Sequence, residues 1–442
     1  MNIILSINHF LWDSLLLYGL LGIGLLFTYQ LRFIQIFTLP KTIVNLFKNN
    51  QNNDVGISSL QALATAIAAQ VGTGNLAGAA TAIVSGGPGA IFWMWLSAFL
   101  GMGTIYAESI LAQHYRIKKG DVFIGGPAYY MSHGLNKPWL GNIFAVSTIM
   151  ALGCIGCMVQ ANSIGHAFRH AFNTPLFISG IIVGTILLAV IKGGVRRIAN
   201  ICEWLVPSMA IIYLLGCIIV LFYRSEFIIP TFKHIFTAAF TTQSVAGGAI
   251  GISIKEAMRY GVSRGLFSNE AGMGSTPHAH AAANVAKPSD QGKVAIFSVF
   301  FDTFIVLTLT ALVILTSSTY LNMLDQPQHL WLTSINLTQA AFSDVFPGQA
   351  EALIAIALLF FAFSTILSWY YFAEVNFQYL FKNSSTRMFQ WFIVFCVMFG
   401  TLIKVDFIWE LADTFTGLMC LPNLIALWLL RKQVLKINKI DE

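Results

Sequence analysis

The sequence predicts an all-α polytopic membrane protein with eleven transmembrane helices: one N-terminal extra helix followed by a 5+5 inverted-repeat core with two broken helices. Three observations lead to this prediction. Of the 442 residues, 56% are hydrophobic and only 10% are charged, far below the roughly 25% of soluble domains. Separate apolar runs recur along the whole chain, each long enough to cross a bilayer. Glycines interrupt two of these runs near their centres.

The apolar runs place each helix in order. We expect spans at residues 11–37, 58–85, 89–115, 139–167, 175–194, 201–223, 235–259, 294–319, 349–380, 389–405 and 408–430. Helices are expected because lipid forces every backbone N–H and C=O to bond within its own segment, and no ~10-residue alternating strands occur. The chain then divides into an N-terminal helix with a polar cytoplasmic linker (1–57), two five-helix repeats (58–223 and 235–430) and a cytoplasmic tail (431–442).

The distribution of Lys and Arg predicts the orientation of the spans. With the linker after the first span placed in the cytoplasm, 21 of the 25 Lys and Arg residues fall on the cytoplasmic side and four fall outside. Cytoplasmic loops of membrane proteins carry such an excess of positive charge. We therefore expect the N-terminus outside and the C-terminus in the cytoplasm.

Two predicted spans are interrupted at mid-membrane depth, at residues 72–75 and 244–251. Close helix packing would also use small residues. Clustered glycines favour unwinding, however, because each loses about 1 kcal/mol relative to Ala in a helix interior. Unwound backbone survives at this depth only where it is buried in protein or lines a cavity. The two breaks fall in the first helix of each five-helix half and run in opposite directions, which is typical of inverted repeats around a midplane site.

Several classes of function do not fit the chain. No basic cluster with interleaved aromatic residues indicates a nucleic-acid partner. No HExxH, GxSxG or paired catalytic His/Asp set occurs in the spans, so we expect neither an enzyme nor an organic cofactor. A channel would need a continuous polar lining, which no span provides. The six cysteines all lie in apolar stretches, where buried small residues are favoured over metal or redox ligands.

Five sequence blocks resemble the alanine or glycine:cation symporter family, the sodium:alanine symporters. The blocks are VGTGNLAGAATAI (71–83), GGPGAIFWMWLSAFLGM (86–102), GGPAYYM (125–131), SIKEAMRYGVSRGLFSNEAGMGSTPHAHAAA (253–283) and FAFSTILSWYYFAE (361–374). This family resembles the bacterial leucine-transporter fold with one extra N-terminal helix. That agrees with the predicted count of one N-terminal helix and ten core helices. Members are taken to carry alanine or glycine with Na⁺, sometimes with H⁺.

The resemblance implies a substrate and cation site at the first break. In this fold a Gly-x-Gly-Asn motif lies at the break of the first core helix. The matching residues are Gly72, Thr73, Gly74 and Asn75. Backbone N–H groups there, and those of the turn at Gly247 and Gly248, would bind the substrate carboxylate. The side-chain carbonyl of Asn75 would ligate Na⁺, although a helix cap would use the same oxygen.

The resemblance also implies a second cation site on the ninth span. Ala362 and Thr365 match positions where a main-chain carbonyl and a hydroxyl face the first break. Ile366 replaces a second hydroxyl that is common in leucine-transporter relatives. Ligation of Na⁺ would therefore depend on backbone carbonyls, including those near Ala68 and Val71.

Trp369 follows Thr365 by four residues and so lies on the same helix face. A bulky ring there would shrink the pocket and favour alanine or glycine over leucine. Packing between helices would explain the ring equally well.

Charged and titratable side chains in and near the spans fit structural roles as well as proton or ion binding. We expect Glu108 to give structural support by capping N–H groups freed at the seventh-span break. Asp302 is either structural or a proton site, and Glu374 is expected to pair with a basic residue. His278 and His280 fall in a predicted cytoplasmic loop, where a solvated or capping role is favoured over a proton relay.

These features predict secondary active symport of alanine or glycine with Na⁺ by alternating access. A proton-coupled amino-acid carrier of the same fold is the alternative. The expected partners are the amino acid, the co-transported Na⁺ and the lipid bilayer. The family, together with the absence of a recognisable targeting segment, implies the bacterial inner (plasma) membrane.

Overall fold

The computed structural model describes residues 2–46, 55–241, 253–324, 332, 334–382 and 385–441. These residues form a helical bundle with one short β-hairpin, β1 (Ile117–Lys119) and β2 (Val122–Ile124). The helices are α1 (Ile4–Gln30), α2 (Ile34–Leu46), α3 (Ser59–Gln70), α4 (Gly74–Gly86), α5 (Gly89–His114), α6 (Pro127–Tyr129), α7 (Pro138–Phe172), α8 (Leu176–Ile191), α9 (Gly194–Tyr223), α10 (Ser225–Phe240), α11 (Ile254–Asn269), α12 (Pro277–Ala282), α13 (Pro288–Thr316), α14 (Ser318–Leu324), α15 (Ser334–Ser343), α16 (Ala350–Leu380), α17 (Thr386–Gly400) and α18 (Val405–Asp441).

The long apolar helices confirm the predicted all-helical membrane fold. Within the described ranges, seven helices are long and apolar enough to cross a bilayer, namely α1, α5, α7, α9, α13, α16 and α18. The pair α3 and α4 forms one further span, bent by 43° at its break. Helices α8 and α17 are apolar but shorter. The total of eleven spans therefore stays a prediction.

The first broken span lies where the sequence predicts it. Ser58 caps α3 by accepting from the N–H of Gln61, and the Gln61 side chain accepts from the N–H of Ser58 in return. The helix then runs to Gln70, and Val71 leaves the helical conformation with φ −79° and ψ 83°. The chain resumes as a π-helical turn over Gly74–Gly78 before the α-helical remainder of α4.

The predicted span at residues 235–259 is wrong. Helix α10 ends at Phe240 with Ala238 against Gly89, at the start of α5. Helix α11 begins again at the same end of the bundle, because Ala257 lies against Gly86. The prediction failed because it relied on hydropathy. Helix α10 is apolar, but its aromatic side chains pack on the start of α5. The segment that begins with α11 crosses the bundle, although it contains several polar residues.

The seventh crossing is instead made by α11, the segment 270–276 and α12, which together run alongside α5. Gly261 lies against Ala90 near the start of α5, and Ala271 lies against Gly101 at its middle. Just beyond the end of α5, the Arg116 guanidinium donates to the backbone carbonyls of Ala281, in α12, and Ala283, directly after it. The run 253–283, predicted to lie largely in a cytoplasmic loop, therefore spans the bundle.

The two broken spans are antiparallel. An isolated β-bridge joins Ile57, just before α3, to Ala283, just after α12. At the other end, the Cβ of Tyr260 on α11 would lie 3.0 Å from a Cβ placed on Gly86 at the end of α4. We call these two ends of the bundle the Ile57 end and the Gly86 end. This opposed pair is the arrangement expected of inverted repeats.

Two peripheral segments are more structured than the sequence suggested. The segment 320–348, which lies between the predicted spans 294–319 and 349–380, contains α15. The Thr338 hydroxyl of α15 donates at 3.0 Å to the carbonyl of Leu76, in the π-helical turn of α4. The predicted tail 431–442 continues α18, and its Asp441 carboxylate accepts from the N–H of Ser289 at 2.8 Å. Of the predicted linker, residues 47–54 lie outside the described ranges.

Candidate functional site

The backbones of the two breaks touch each other. A Cβ placed on Gly74 would lie 2.9 Å from the Cα of Ser268, so only glycine fits there. Nearby, the Gln70 side-chain amide donates to the carbonyl of Asn269 at 2.8 Å. The end of α3 and the end of α11 therefore meet in the interior of the bundle.

The first break also meets α16 at the predicted cation site. The Thr365 hydroxyl lies 2.8 Å from the carbonyl oxygen of Ala68 and 3.0 Å from that of Phe361. A Cβ on Gly72 would lie only 2.4 Å from the same hydroxyl oxygen. The structure thus brings together three residues that the sequence placed at the site: Ala68, Gly72 and Thr365. The predicted ligands Val71 and Ala362 are fully buried on the same two spans.

Two polar contacts at this seam were missed from the sequence. The N–H of Thr73 donates to the Gln160 side-chain carbonyl at 3.2 Å, which ties the first break to α7. The Ser368 hydroxyl donates to the carbonyl of Thr65 at 2.9 Å, one turn along from the Thr365 contact. A lone glutamine in the apolar run CMVQANS was the only available sign of Gln160.

Asn75 contacts a carboxylate that the sequence did not place at the break. Its amide Nδ2 donates to Asp302 at 2.9 Å to Oδ1 and 3.1 Å to the backbone oxygen. The Asp302 carboxylate also accepts from the hydroxyls of Ser268, at 3.1 and 3.2 Å, and Thr303, at 2.9 Å. Asn75 and Asp302 each lie in a π-helical turn, a distortion that is common at functional sites.

The second break lies at residues 270–276. Glu270, Gly272 and Gly274 adopt positive φ angles of 58°, 93° and 82°, which end α11 and keep the chain unwound before α12. The Glu270 carboxylate accepts hydrogen bonds from the Ser275 hydroxyl and from the Trp369 indole N–H. These bonds join the break to α16.

Trp369 lies against the second break, not in open lipid. Its ring meets the ring of Phe267 edge-on with 5.7 Å between centroids. A Cβ on Gly156 would lie 2.6 Å from the indole, so α7 closes the other side. The ring therefore fills the space between α7, α11 and α16.

Glu108 contacts the unwound backbone of the second break. Its carboxylate accepts from the N–H of Gly272 at 3.3 Å and from the side-chain amide of Asn423. The same amide donates to the carbonyl of Gly272 at 2.9 Å. A carboxylate and an amide thus pair with both polar groups of one unwound residue, although the role of Glu108 in transport stays a prediction.

Three carboxylates make the region around the breaks acidic. Glu108, Glu270 and Asp302 are fully buried, and none takes part in an ion pair formed by the described residues. A buried, unpaired charge is costly, especially inside a membrane. Within the described residues, neutral donors compensate these three carboxyl groups through hydrogen bonds. The site that the sequence predicted was made mostly of backbone groups and neutral side chains.

The structure changes the reading of the two histidines. His278 and His280 are fully buried, so of the expected solvated or capping role the solvated alternative is wrong. Nδ1 of His278 donates to the carbonyl of Ser275 at 2.6 Å, and Nε2 accepts from the Asn376 amide at 2.8 Å. His278 therefore braces the second break against α16.

Two other expectations remain open. Glu374 is almost fully buried and forms no ion pair within the described part of the chain. Gly247 and Gly248 lie outside the described residues, so their predicted contact with the substrate carboxylate is untested.

An ion pair closes the Gly86 side of the site. The Arg264 guanidinium donates to both oxygens of Asp413, at 2.9 and 2.6 Å, and thereby links α11 to α18. The Arg264 side chain also lies over the ring of Trp409, 5.1 Å from its centroid. Phe267 packs between Trp409 and Trp369, so aromatic rings separate the ion pair from the second break.

Sequence comparison decides the family. Residues 1–440 match the sequence model of the sodium:alanine symporter family. The chain belongs to this family. The match covers almost the whole chain, including both broken spans, and confirms the resemblance drawn from the five sequence blocks.

Relatives in this family carry different names. The chain is 40% identical to the sodium/alanine symporter AgcS of Methanococcus maripaludis, over 99% of this chain and 96% of the relative. It is 40% identical to the probable sodium/glutamine symporter GlnT of Bacillus subtilis, over 97% of this chain and 87% of the relative. It is 39% identical to the putative sodium/proton-dependent alanine carrier protein YrbD of Bacillus subtilis, over 98% of this chain and 91% of the relative. These names agree that the family transports amino acids with a cation.

A solved structure shares the fold. The crystal structure of MhsT in complex with L-phenylalanine superposes with a TM-score of 0.64, covering 86% of this chain and 90% of that one. Sequence identity is 14%, so the likeness concerns the fold alone. It confirms the leucine-transporter-type architecture of this sodium:alanine symporter family member.

Proposed function

We propose that this protein carries a small neutral amino acid, alanine or glycine, together with Na⁺ by alternating access. The single observation that carries the proposal is the seam between the first break and α16. There the Thr365 hydroxyl meets the carbonyl of Ala68 beside Gly72. Neutral oxygens of this kind are the ligands that a hard monovalent cation prefers.

The opposed breaks support binding of a zwitterion. In the unwound segments at residues 71–73 and 270–276, backbone N–H groups donate to side chains, that of Thr73 to Gln160 and that of Gly272 to Glu108. A substrate carboxylate would bind there by taking the place of such an acceptor. The buried carboxylate of Glu270 lies at the same break and offers a counter-charge for the substrate ammonium group. Trp369 fills much of the remaining space, which favours a side chain no larger than that of alanine.

Coupling to Na⁺ supplies the driving force. Each ion that moves inward contributes about 2.3 kcal/mol per 100 mV of membrane potential, before any concentration gradient. A single coupled ion is therefore sufficient to accumulate substrate roughly fiftyfold at 100 mV. In this mechanism the two breaks act as hinges between half-helices.

We further propose that the Ile57 end faces the cytoplasm of a bacterial inner membrane, with the N-terminus outside and the C-terminus inside. The excess of Lys and Arg at that end supports this orientation. Lys255, Arg259 and Arg264 belong to the Gly86 side, since α11 begins at that end, which reduces the asymmetry but keeps its direction.

Uptake of labelled alanine and glycine into proteoliposomes tests the proposal. Saturable uptake that requires an inward Na⁺ gradient supports it. Uptake that ignores Na⁺ but follows a pH gradient would instead support a proton-coupled carrier, which the name of one relative and the buried carboxylates make the second candidate. Competition by unlabelled glutamine, the amino acid in the name of another relative, tests the size of the substrate site. Inhibition of alanine uptake by glutamine would show that the site accepts a larger side chain.

A further inference from the structure

We propose that helix α1 is a clasp at the Gly86 end: it holds α11 to α18 through Asp13, and this carboxylate must release Arg259 before that end can open. The inference rests on the proposed function, because alternating access requires the Gly86 end to open in one half of the cycle. It gives a role to the N-terminal helix that precedes the two repeats.

On one side, α1 is anchored to α18. The Asn8 side-chain amide donates to the backbone oxygen of Glu410 at 2.9 Å and to its carboxylate at 2.6 Å. The Oδ1 atom of Asn8 accepts from the Thr414 hydroxyl at 2.7 Å, and the Trp12 indole donates to the carbonyl of Asp413 at 3.2 Å. Asn8 and Trp12 are both buried, so water does not compete for these bonds. We therefore expect α1 and the start of α18 to move as one body.

On the other side, α1 reaches α11 through an ion pair. Asp13 Oδ1 lies 2.7 Å from Nε of Arg259, and Asp13 Oδ2 lies 3.2 Å from Nδ1 of His9, one turn earlier in α1. Trp12 and Asp13 lie in a π-helical turn, Leu11–Leu16, a distortion that is common at functional sites. Adjacent residues of this turn thus contact different elements, Trp12 contacting α18 and Asp13 contacting α11.

The clasp bridges the same two elements as the ion pair of Arg264 and Asp413. That ion pair links α11 directly to α18, whereas α1 links them through Trp12 on one side and Asp13 on the other. Opening of the Gly86 end separates α11 from α18 and must break both links. In the second link, we expect the contact between Asp13 and Arg259 to break, because both side chains are 20% exposed and an ion pair with access to water separates at low cost.

Helix α1 continues from the clasp to the second break. A Cβ placed on Gly272 would lie 2.8 Å from Cδ2 of Leu20, so α1 packs directly against the unwound backbone there. When α1 moves with α18, the packing behind the break changes as well. The clasp therefore connects the closure of the Gly86 end to the site.

Thiol labelling of a buried reporter at the Gly86 end tests the clasp. Thr416 is 2% exposed and follows Asp413 by one turn on the same face of α18. In purified full-length Thr416→Cys protein, the new thiol should react slowly with a water-soluble methanethiosulfonate while that end is closed. We expect Asp13→Asn to speed this labelling about fivefold, because loss of an ion pair worth about 1 kcal/mol raises the open fraction by that factor.

Two controls accompany this measurement. Protein with Thr416 unchanged gives the background from the six native cysteines. Asp290→Asn is the matched control, since it removes an exposed ion pair with Lys293 near the start of α13, at the Ile57 end, and should leave the labelling rate unchanged. A wild-type labelling rate in folded Asp13→Asn protein, or an equal rise in Asp290→Asn, overturns the clasp.

A double-mutant cycle distinguishes the contact itself from a general weakening of α1. Arg259→Gln removes the same ion pair from the α11 side and should speed labelling about as much as Asp13→Asn. The double variant should be no faster than either single variant, because two residues that act through one contact are not additive. Fully additive effects would overturn the assignment of Arg259 as the residue that Asp13 holds.

The two proposals can fail separately, because labelling requires no transport. If the wild type takes up neither alanine nor glycine with Na⁺, yet Asp13→Asn speeds labelling, the proposed cargo is wrong and the clasp stands. If Na⁺-driven uptake is present and Asp13→Asn labels at the wild-type rate, the clasp is wrong and the symport stands.

Discussion

The contact between Gly72 and Thr365 offers the sharpest test of the first break. In Gly72→Ala, the new Cβ would lie 2.4 Å from the Thr365 hydroxyl oxygen and 3.2 Å from the Gln160 side-chain oxygen. Ordinary contact begins near 3.4 Å, so the Thr365 hydroxyl must move by about 1 Å. That movement breaks its 2.8 Å contact with the carbonyl of Ala68.

The magnitude follows from two terms. Overpacking of a buried position costs about 1–3 kcal/mol, and the lost hydrogen bond costs about 1 kcal/mol. If only about 1.4 kcal/mol of this falls on cation binding, the Na⁺ concentration for half-maximal uptake rises about tenfold. A displacement of about 1 Å at a reacting or binding group can lower the rate by as much as a hundredfold.

The assay is Na⁺-dependent alanine uptake in proteoliposomes, with thermal unfolding of the same preparation. Gly78→Ala is the matched control: it lies on the same broken span, and its nearest neighbour is the carbonyl oxygen of Thr73 at 3.8 Å, an ordinary contact. We expect the control to retain uptake near the wild-type level. Equal Na⁺ dependence in Gly72→Ala and Gly78→Ala would refute the reasoning.

Three further predictions concern the second break and its surroundings. Trp369→Ala should admit larger side chains, because the indole fills the space beside the break; inhibition of alanine uptake by leucine measures this, and unchanged selectivity would move the pocket wall elsewhere. Glu108→Gln should lower uptake at least several-fold, because the carboxylate that accepts from the N–H of Gly272 becomes an amide whose NH₂ group can face that N–H. Normal uptake with a normal unfolding temperature would contradict this role. Arg264→Gln should leave Asp413 without its bidentate partner and loosen the link between α11 and α18. A cysteine placed beside the site should then react faster with a thiol reagent. Unchanged labelling would show that the ion pair does not restrict access.

The sequence predicted the first break but not the break at residues 270–276, and the reason is physical; the predicted break at 244–251 lies outside the described residues. At residues 72–75 the glycines interrupt an otherwise apolar run, so hydropathy and backbone propensity point to the same place. At residues 270–276 the flanking helix α11 contains Arg259 and Arg264, which lower its hydropathy below that of a typical span. Both arginines are compensated by carboxylates from α1 and α18, and pairing between distant segments is invisible to a window along one chain.

The residues of the candidate site were likewise predicted only in part. Gly72 and Thr365 could be named in advance because sequence motifs contain them, and Ala68 because it lies just before the first motif; the structure brings the three into contact. Asp302 could not be placed, since its meaning depends on the amide of Asn75 more than 200 residues away. A Gly-Met-Gly sequence between Ala271 and Ser275, similar to Gly-Thr-Gly at the first break, was the available sign of the second break.

The unequal lengths of the two halves of the second broken span have a further consequence. Helix α11 has 16 residues and packs closely on α5, whereas α12 has six and depends on Gln113 and Arg116 of the same neighbouring segment to satisfy carbonyl groups at its end. A helix of fewer than two turns has little stability of its own. Amide hydrogens of α12 should therefore exchange with deuterium much sooner than those of α11. Faster exchange in α12 than in α11 would place the less costly of the two openings at the Ile57 end.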